Sequence, residues 1–379
     1  MSRIRRRAAG ASGLASAPPG AAGPAGRFET LDGMRGLAAI AVALFHFDKW
    51  LVPHGYLAVD FFFALSGFVL VKAYRERFAA GLGMREFMIR RVVRLYPVFL
   101  CGLVLSSAWI AVKVLAGSGG TDAVRDLLGP LPFNLLMLPS PLNRELFPLN
   151  GPAWSLFFEI AANVFLAVAL AYRRRRWWAL LAAAAGVLLI VAALAFDAPP
   201  DRTSPEFVPQ PLSEGWSWPG FHIGLLRTAY SFTLGMVLAE MLRRRPRPTS
   251  GWAVPLWLAL GATLAIGVAP VHDFAFTALT ILAVMPAFVA AGSRIEPPPA
   301  LRPVARWAGD MSFALYAVHA PIAQSLALAT ARLDWPLWLG ALLYLAVALM
   351  VATLVTELVD KPLRAFVARR RRGPLSLEG

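Results

Sequence analysis

Two ionisable side chains, Arg35 and His46, stand eleven residues apart in the apolar stretch LDGMRGLAAIAVALFH, residues 31–46. Eleven residues of α-helix rise about 16 Å and drift only about 20° around the axis, so both side chains leave the same face. A charged side chain inside a membrane costs several kcal/mol unless a partner or a water-filled cavity receives it. The pair is therefore a candidate functional site. The alternative is that Arg35 reaches the membrane surface and His46 hydrogen-bonds to a neighbouring helix.

The composition of the chain is that of a polytopic membrane protein. Hydrophobic residues make up 58% of its 379 residues and charged residues 16%, with a mean hydropathy of +0.59, whereas soluble domains are about half apolar and a quarter charged. The single cysteine, Cys101, excludes an intrachain disulfide, and without a Cys/His cluster of metal-ligand spacing no metal is expected. The net charge of +15 lies in arginine runs between apolar blocks. Such runs are typical of cytoplasmic loops, so nucleic-acid binding is not expected.

Apolar segments near the length that spans a bilayer predict an all-α membrane protein, a bundle of about ten transmembrane helices. A shorter run, residues 131–138, is interrupted by Pro132 and Asn134 and predicts an interfacial or re-entrant piece. With the N-terminus inside, 30 of the 37 lysines and arginines fall on the cytoplasmic side. This bias predicts that both termini are cytoplasmic. The ten segments are residues 33–51, 57–74, 94–116, 151–172, 177–196, 219–241, 252–270, 273–291, 310–330 and 336–359.

The two ends of the chain differ in composition from its middle. Residues 1–27 are rich in Arg, then in Ala, Gly and Pro, and lack the apolar segment of a signal peptide, so they predict a disordered cytoplasmic tail. Residues 28–366 hold the predicted transmembrane domain, and residues 367–379 form a basic cytoplasmic tail. The expected location is the inner (cytoplasmic) cell membrane, which the chain crosses several times.

More charged residues accompany the second and third segments. Asp60 follows His46 across a short turn, where its carboxylate either orients the imidazole or caps the second helix. Arg90, Arg91 and Arg94 fall on nearly one face of a helix that enters the membrane. Guanidinium groups bind phosphates in bidentate fashion, so this cluster suits a phosphorylated cytosolic ligand or, alternatively, lipid headgroups.

Polar residues inside the later segments need partners within the bundle. Glu159 lies about two turns into the fourth segment, where a carboxylate must be paired or protonated, and Arg227 of the sixth segment is a possible partner. Ser312, Tyr316 and His319 recur at helical spacing in the ninth segment and form an inward-facing polar stripe. A water-lined cavity explains this stripe as well as catalysis does.

Three classes of protein fit this arrangement. They are an enzyme with a cytosolic activated donor, a secondary transporter that relays protons through buried ionisable groups, and a receptor or scaffold. The basic second inner loop favours a phosphorylated donor, and the absence of an internal repeat counts weakly against a transporter. Composition and spacing alone do not separate the enzyme from the transporter.

Six stretches lie along the chain in this order: LDGMRGLAAIAVALFH, VDFFFALSGF, RRVVRLYP, WSLFFE, SFALYAVHAP and VDKP. In this order they resemble the motifs of the acyltransferase 3 family of integral membrane acyltransferases, and the first resembles the Arg-x10-His signature of that family. The match spans about residues 28–366. Members of that family move an acyl group, usually acetyl from acetyl-CoA, to a sugar hydroxyl in acceptors such as lipopolysaccharide, exopolysaccharide or peptidoglycan.

Two features depart from the family pattern. The last motif usually reads Glu-x-Pro and here reads Asp360-Lys361-Pro362, which puts the role of that carboxylate in doubt. The sequence also ends after its basic tail, without the extracytoplasmic hydrolase-like domain that some members carry. The membrane core is therefore expected to act alone.

The resemblance implies a membrane-embedded O-acyltransferase, with a multi-pass transporter or exporter of a glycan or small metabolite as the alternative. The expected donor is acetyl-CoA or another acyl-CoA, and the expected acceptor is a sugar or glycan, free or lipid-linked. A polar channel is expected to lead from the donor site to His46, which acts as general base on the acceptor hydroxyl or carries a transient acyl group. The expected site residues are His46, Arg35 and Asp60 for catalysis, Arg35, Arg90, Arg91 and Arg94 for the donor, and Glu159, Tyr316 and His319 in support.

Overall fold

The computed structural model describes residues 27–116, 123–171, 176–196, 210–242 and 247–370. Apart from turns and two isolated bridges, the secondary structure of these residues is helical. The predicted tail 1–27 lies almost wholly outside the described residues, as does most of 367–379. The helices are α1 (Glu29–Phe47), α2 (Ala58–Ala79), α3 (Met84–Leu115), α4 (Ala123–Leu128), α5 (Leu131–Leu135), α6 (Ala153–Ala171), α7 (Arg176–Leu194), α8 (Phe221–Met241), α9 (Ala253–Ala265), α10 (Pro270–Leu279), α11 (Met285–Gly292), α12 (Arg302–Arg332), α13 (Leu337–Val355) and α14 (Lys361–Arg370).

Within the described ranges, eight helical segments have the length and hydropathy to cross a membrane. An all-helical membrane protein is therefore confirmed, whereas the count of ten and the side of the termini stay predictions. The eight segments are Glu29–Phe47, Gly55–Ala79, Met84–Leu115, Ala153–Ala171, Trp177–Leu194, Pro270–Gly292, Pro299–Arg332 and Leu337–Val367.

The other two predicted segments are helices with a different character. Helix α8 has 21 residues but carries buried polar residues, among them Arg227, Ser231 and Thr233, which lower its hydropathy. Helix α9 has 13 residues, or about 20 Å, and is shorter than the roughly 20 residues of a full span. The run 131–138 contains only the five-residue helix α5, which is too short to cross a membrane.

Close approach of helix backbones fixes how the helices pack. A Cβ atom at Gly36 of α1 would lie 2.4 Å from the Cβ of Ala308 on α12. Between α2 and α8, a Cβ at Gly67 would lie 2.1 Å from the carbonyl oxygen of Phe232. Small residues at such contacts let membrane helices pack by backbone contact, since apolar side chains gain little from leaving lipid. Gly67 therefore has the packing role that its small size predicts.

Helices α1 and α12 run side by side in the same direction. Arg35 of α1 contacts Ser312 of α12, and farther along both helices His46 contacts His319. This parallel pair carries the polar residues of the candidate site.

Candidate active site

Arg35 reaches from α1 to the first third of α12. Its Nε donates a hydrogen bond to Ser312 Oγ at 2.9 Å, and its Nη2 donates to the carbonyl of Gly309. Asp32 Oδ1 lies 3.7 Å from the same Nη2. A guanidinium has five N–H donors, so this side chain, which is 28% exposed, keeps donors for a ligand.

A cavity of about 140 Å³ lies beside Arg35, between α1, α2, α3, α6 and α12. It gathers residues from five sequence motifs that are far apart in the chain. Its apolar lining includes Phe62, Phe63 and Phe313. Its polar lining consists of Arg35, Ser66, Arg91, Arg94, Ser155, Glu159, Ser312 and Tyr316.

Glu159 is paired inside this cavity. Arg91 Nη2 donates to Glu159 Oε1 at 2.7 Å, and Ser66 Oγ donates to the same oxygen at 3.0 Å. The possible partner named from sequence, Arg227, does not pair with it. The partner is instead Arg91, so this arginine is already neutralised by the protein.

The three arginines expected to bind the donor, all on α3, differ in their surroundings. Arg94 lines the cavity and is exposed, and it forms no hydrogen bond or ion pair with another described residue. Arg90 is not part of the cavity lining, and its Nη2 is paired with Glu86, one helical turn earlier. The expected cluster of three is thus reduced to Arg91 and Arg94 at the cavity, because Arg90 is rotated by about 100° from Arg91 on the helix.

Another arginine, Arg364 of α14, adds positive charge near the cavity. It is close enough to Arg35 and Arg94 to interact with them electrostatically. Its Nε donates to Asp360 Oδ1 at 2.7 Å. Asp360, which stands where the family pattern has Glu, therefore has a structural contact. Sequence reasoning missed Arg364 because it stands in a basic stretch that positive-inside bias already explains.

Asp60 and Arg227 form an ion pair that is completely buried. Arg227 Nε donates to Asp60 Oδ1 at 3.2 Å, and Nη2 contacts the other carboxylate oxygen. Nη1 donates to the carbonyl of Glu214 at 3.0 Å, and the guanidinium lies 5.7 Å from the ring centroid of Trp154. Both side chains are 0% exposed.

This pairing corrects the expected role of Asp60. Both of its oxygens contact Arg227, and its side chain neither hydrogen-bonds to His46 nor caps the N-terminus of α2. Asp60 anchors α2 to α8 instead. A buried guanidinium requires a carboxylate partner more strongly than an imidazole does, because it is always charged.

His46 lies on the last turn of α1 and is exposed, not deeply buried. Its Nδ1 is 2.9 Å from the carbonyl oxygen of Val42. A carbonyl oxygen only accepts, so Nδ1 carries the proton and Nε2 has the lone pair of a base. Lys49 lies in electrostatic range of this ring, and burial lowers the pKa of its amine.

Two α12 side chains lie between the cavity and His46. Tyr316 hydrogen-bonds to Ser155 Oγ at 2.7 Å, and its ring is 5.6 Å from that of His319. The ring of His319 is in turn 4.8 Å from that of His46. The cavity lining includes Tyr316 but neither histidine. This cavity therefore does not itself reach His46, although the polar stripe of α12 connects the two regions, and the continuous channel stays a prediction.

Two serines of the cavity, Ser66 and Ser155, were not among the expected site residues. Both stand inside stretches that carry the resemblance, VDFFFALSGF and WSLFFE, where a serine is recognisable only as a small residue and not as a cavity residue. Among the residues that the structure describes, no group of three or more His, Cys, Asp or Glu side chains is arranged to hold a metal ion.

Residues 28–357 match a family model described as an acyltransferase domain. Over 159 residues the chain is 40% identical to "Protein 2 in picA locus" of Rhizobium radiobacter, a stretch that covers 38% of this chain and 83% of that protein. Over 151 residues it is 30% identical to the peptidoglycan O-acetyltransferase OatA of Listeria monocytogenes, covering 34% of this chain but only 24% of that protein. No solved structure matches the chain.

Proposed function

We propose a function from the premise that the chain belongs to the acyltransferase family. The protein is a membrane-embedded O-acyltransferase that moves an acyl group, mainly acetyl, from cytosolic acyl-CoA to a hydroxyl of a sugar or glycan. One observation carries the proposal. A cavity with an unpaired arginine is linked by Tyr316 and His319 to an exposed histidine whose Nε2 is a free base.

The donor binds at the arginine end of the cavity. Arg94 has no hydrogen-bond or ion-pair partner in the described part of the chain, and Arg35 and Arg364 add positive charge beside it. Arg364 is paired with Asp360 and Arg35 lies near Asp32, but Arg94 has no such carboxylate, so the cluster lacks one negative charge, and phosphates are the anions that guanidinium groups bind best. The phosphates of acyl-CoA supply that charge, and the pantetheine arm extends along the apolar lining. Since 30 of the 37 basic residues lie on one predicted side, we place this end at the cytoplasmic face of the cell membrane.

The acceptor meets the acyl group at His46. His46 Nε2 takes the proton of the acceptor hydroxyl as the new oxygen–carbon bond forms and the carbon–sulfur bond of the thioester breaks. The CoA thiolate then receives the proton from His46. Because Tyr316 separates the cavity from His46, the acyl group passes only when that side chain turns away. A covalent acyl-His46 intermediate remains the alternative route.

Purified protein in detergent tests the reaction class directly. With radiolabelled acetyl-CoA and a mixture of cell-surface glycans, we expect free CoA to be released in proportion to label found on glycan hydroxyls. The measurement is thiol release together with mass spectrometry of the glycans, which gain the mass of one acetyl group. Transport of a glycan into proteoliposomes without cleavage of the thioester would overturn the proposal in favour of an exporter.

Replacing Arg94 with glutamine is expected to raise the KM for acetyl-CoA about tenfold or more and to leave kcat nearly unchanged. Hydrogen bonds to charged groups contribute about 1.5–3 kcal/mol, and this one is made in the ground state as well as in the transition state. Arg90→Gln is the matched control, because Arg90 is on the same helix but paired with Glu86 outside the cavity. Equal changes in KM for both variants would contradict this donor site.

A further inference from the structure

We infer that His319 is a positioning residue for His46, and that its buried Nε2 accepts a hydrogen bond from His46 after His46 has taken the proton of the acceptor hydroxyl. The inference rests on the proposed function and adds a residue to it. His319 makes no covalent bond and keeps its own proton on Nδ1 throughout.

The first support is the protonation pattern of His319. Its Nδ1 is 2.8 Å from the carbonyl oxygen of Tyr316, so Nδ1 is the donor and Nε2 has the lone pair. The side chain is 0% exposed, and Nε2 has no hydrogen-bond partner among the described residues. A buried polar atom without a partner costs free energy, and most such atoms in proteins are satisfied. This unsatisfied acceptor therefore needs a donor that this state of the site does not provide.

The second support is the position of His46. The two ring centroids are 4.8 Å apart and the ring planes are inclined by 69°, so the two imidazole rings are in edge-to-face contact. Neutral His46 has no proton on Nε2 to donate, since its one ring proton is on Nδ1, in the hydrogen bond to the carbonyl oxygen of Val42. Imidazolium His46 has one. The missing donor therefore arises in the reaction itself, when His46 becomes charged.

The third support is that, among the described residues, no charged group stabilises imidazolium His46. The titratable groups beside the two histidines are Lys49, Tyr316 and Tyr344, and the hydroxyl of Tyr344 contacts His319 only at its backbone carbonyl. Lys49 is a cation and the tyrosines are neutral. No carboxylate of the described chain hydrogen-bonds to either ring, and Asp60 is engaged by Arg227. A charge-assisted hydrogen bond to His319 is thus the stabilising contact that the site offers.

Three variants at this position separate positioning from packing. Glutamine places an amide oxygen near the position of Nε2 and keeps the acceptor, asparagine reaches only the position of Nδ1, and leucine keeps neither. In purified protein we expect His319→Leu and His319→Asn to lower kcat about 100-fold with the KM for acetyl-CoA within about twofold of the wild type. We expect His319→Gln to recover to within about tenfold of the wild-type kcat.

The outcomes are distinguishable from failure of the proposed function. Wild-type protein that does not cleave the thioester refutes the reaction itself, whatever the variants do. An active wild type with equally active His319→Leu overturns the inference alone. Activity in His319→Asn but not in His319→Gln would also overturn it, because the contact that matters would then be Nδ1 to Tyr316. If His319→Leu does not fold, the Asn and Gln variants still test the inference. Their thermal unfolding midpoints are measured first, and their kcat values are compared if the midpoints agree.

Discussion

Replacing His46 with alanine is expected to lower kcat for acyl transfer by about 10²–10⁴-fold while the protein still inserts into the membrane and binds acyl-CoA. The imidazole provides the base, because its Nδ1–H donates a hydrogen bond to the carbonyl oxygen of Val42 and its Nε2 keeps a free lone pair. The side chain is exposed on the last turn of α1, so its removal leaves no large cavity in the core. The measurement is release of free CoA by purified protein, with binding of labelled acetyl-CoA measured in parallel.

His272→Ala is the control for this variant. His272 is an exposed histidine on α10, outside the cavity lining, and its loss should leave kcat unchanged. Incubation of wild-type protein with labelled acetyl-CoA and no acceptor distinguishes the two roles of His46. Label retained on His46 indicates the covalent route, and its absence indicates general-base catalysis. Normal turnover by His46→Ala would remove this residue from the mechanism altogether.

Hydropathy predicts the middle of each membrane helix and not its ends. The third and ninth segments were predicted at 94–116 and 310–330, but α3 begins at Met84 and α12 at Arg302. The additional turns contain arginines, which a search for apolar segments leaves out although the helix continues through them. The same limit explains α8, whose buried Arg227 is paired with Asp60 and donates to a backbone carbonyl.

Sequence spacing predicts which residues share a helix face but not which distant residues meet. Arg35 and His46, eleven residues apart, do lie along the same contact between α1 and α12. In contrast, 167 residues separate Asp60 from Arg227, and no local pattern links them. The choice between an orienting, a capping and an ion-pairing carboxylate depends on that tertiary contact. The role of Asp60 therefore follows from the packing of α2 against α8 and not from the sequence around Asp60.

Replacing Asp60 with asparagine is expected to destabilise the fold by about 3–5 kcal/mol, because it leaves the guanidinium of Arg227 buried without a compensating charge. Asp60 and Arg227 are both 0% exposed, so neither water nor lipid headgroups can take the place of the carboxylate. The measurement is the unfolding transition of purified protein in detergent. Glu86→Gln, which breaks the partly exposed pair with Arg90, is the matched control and should cost about 0.5 kcal/mol or less.

A double variant separates this structural role from an orienting role. Asp60→Leu combined with Arg227→Met removes both buried charges and should recover most of the lost stability, since well-packed apolar residues replace buried ion pairs at little cost. The double variant should also retain kcat, because neither side chain contacts His46 in the structure. A carboxylate that oriented the imidazole would give the opposite pattern. Asp60→Asn would then unfold like the wild type and lose kcat, and the double variant would be stable and inactive.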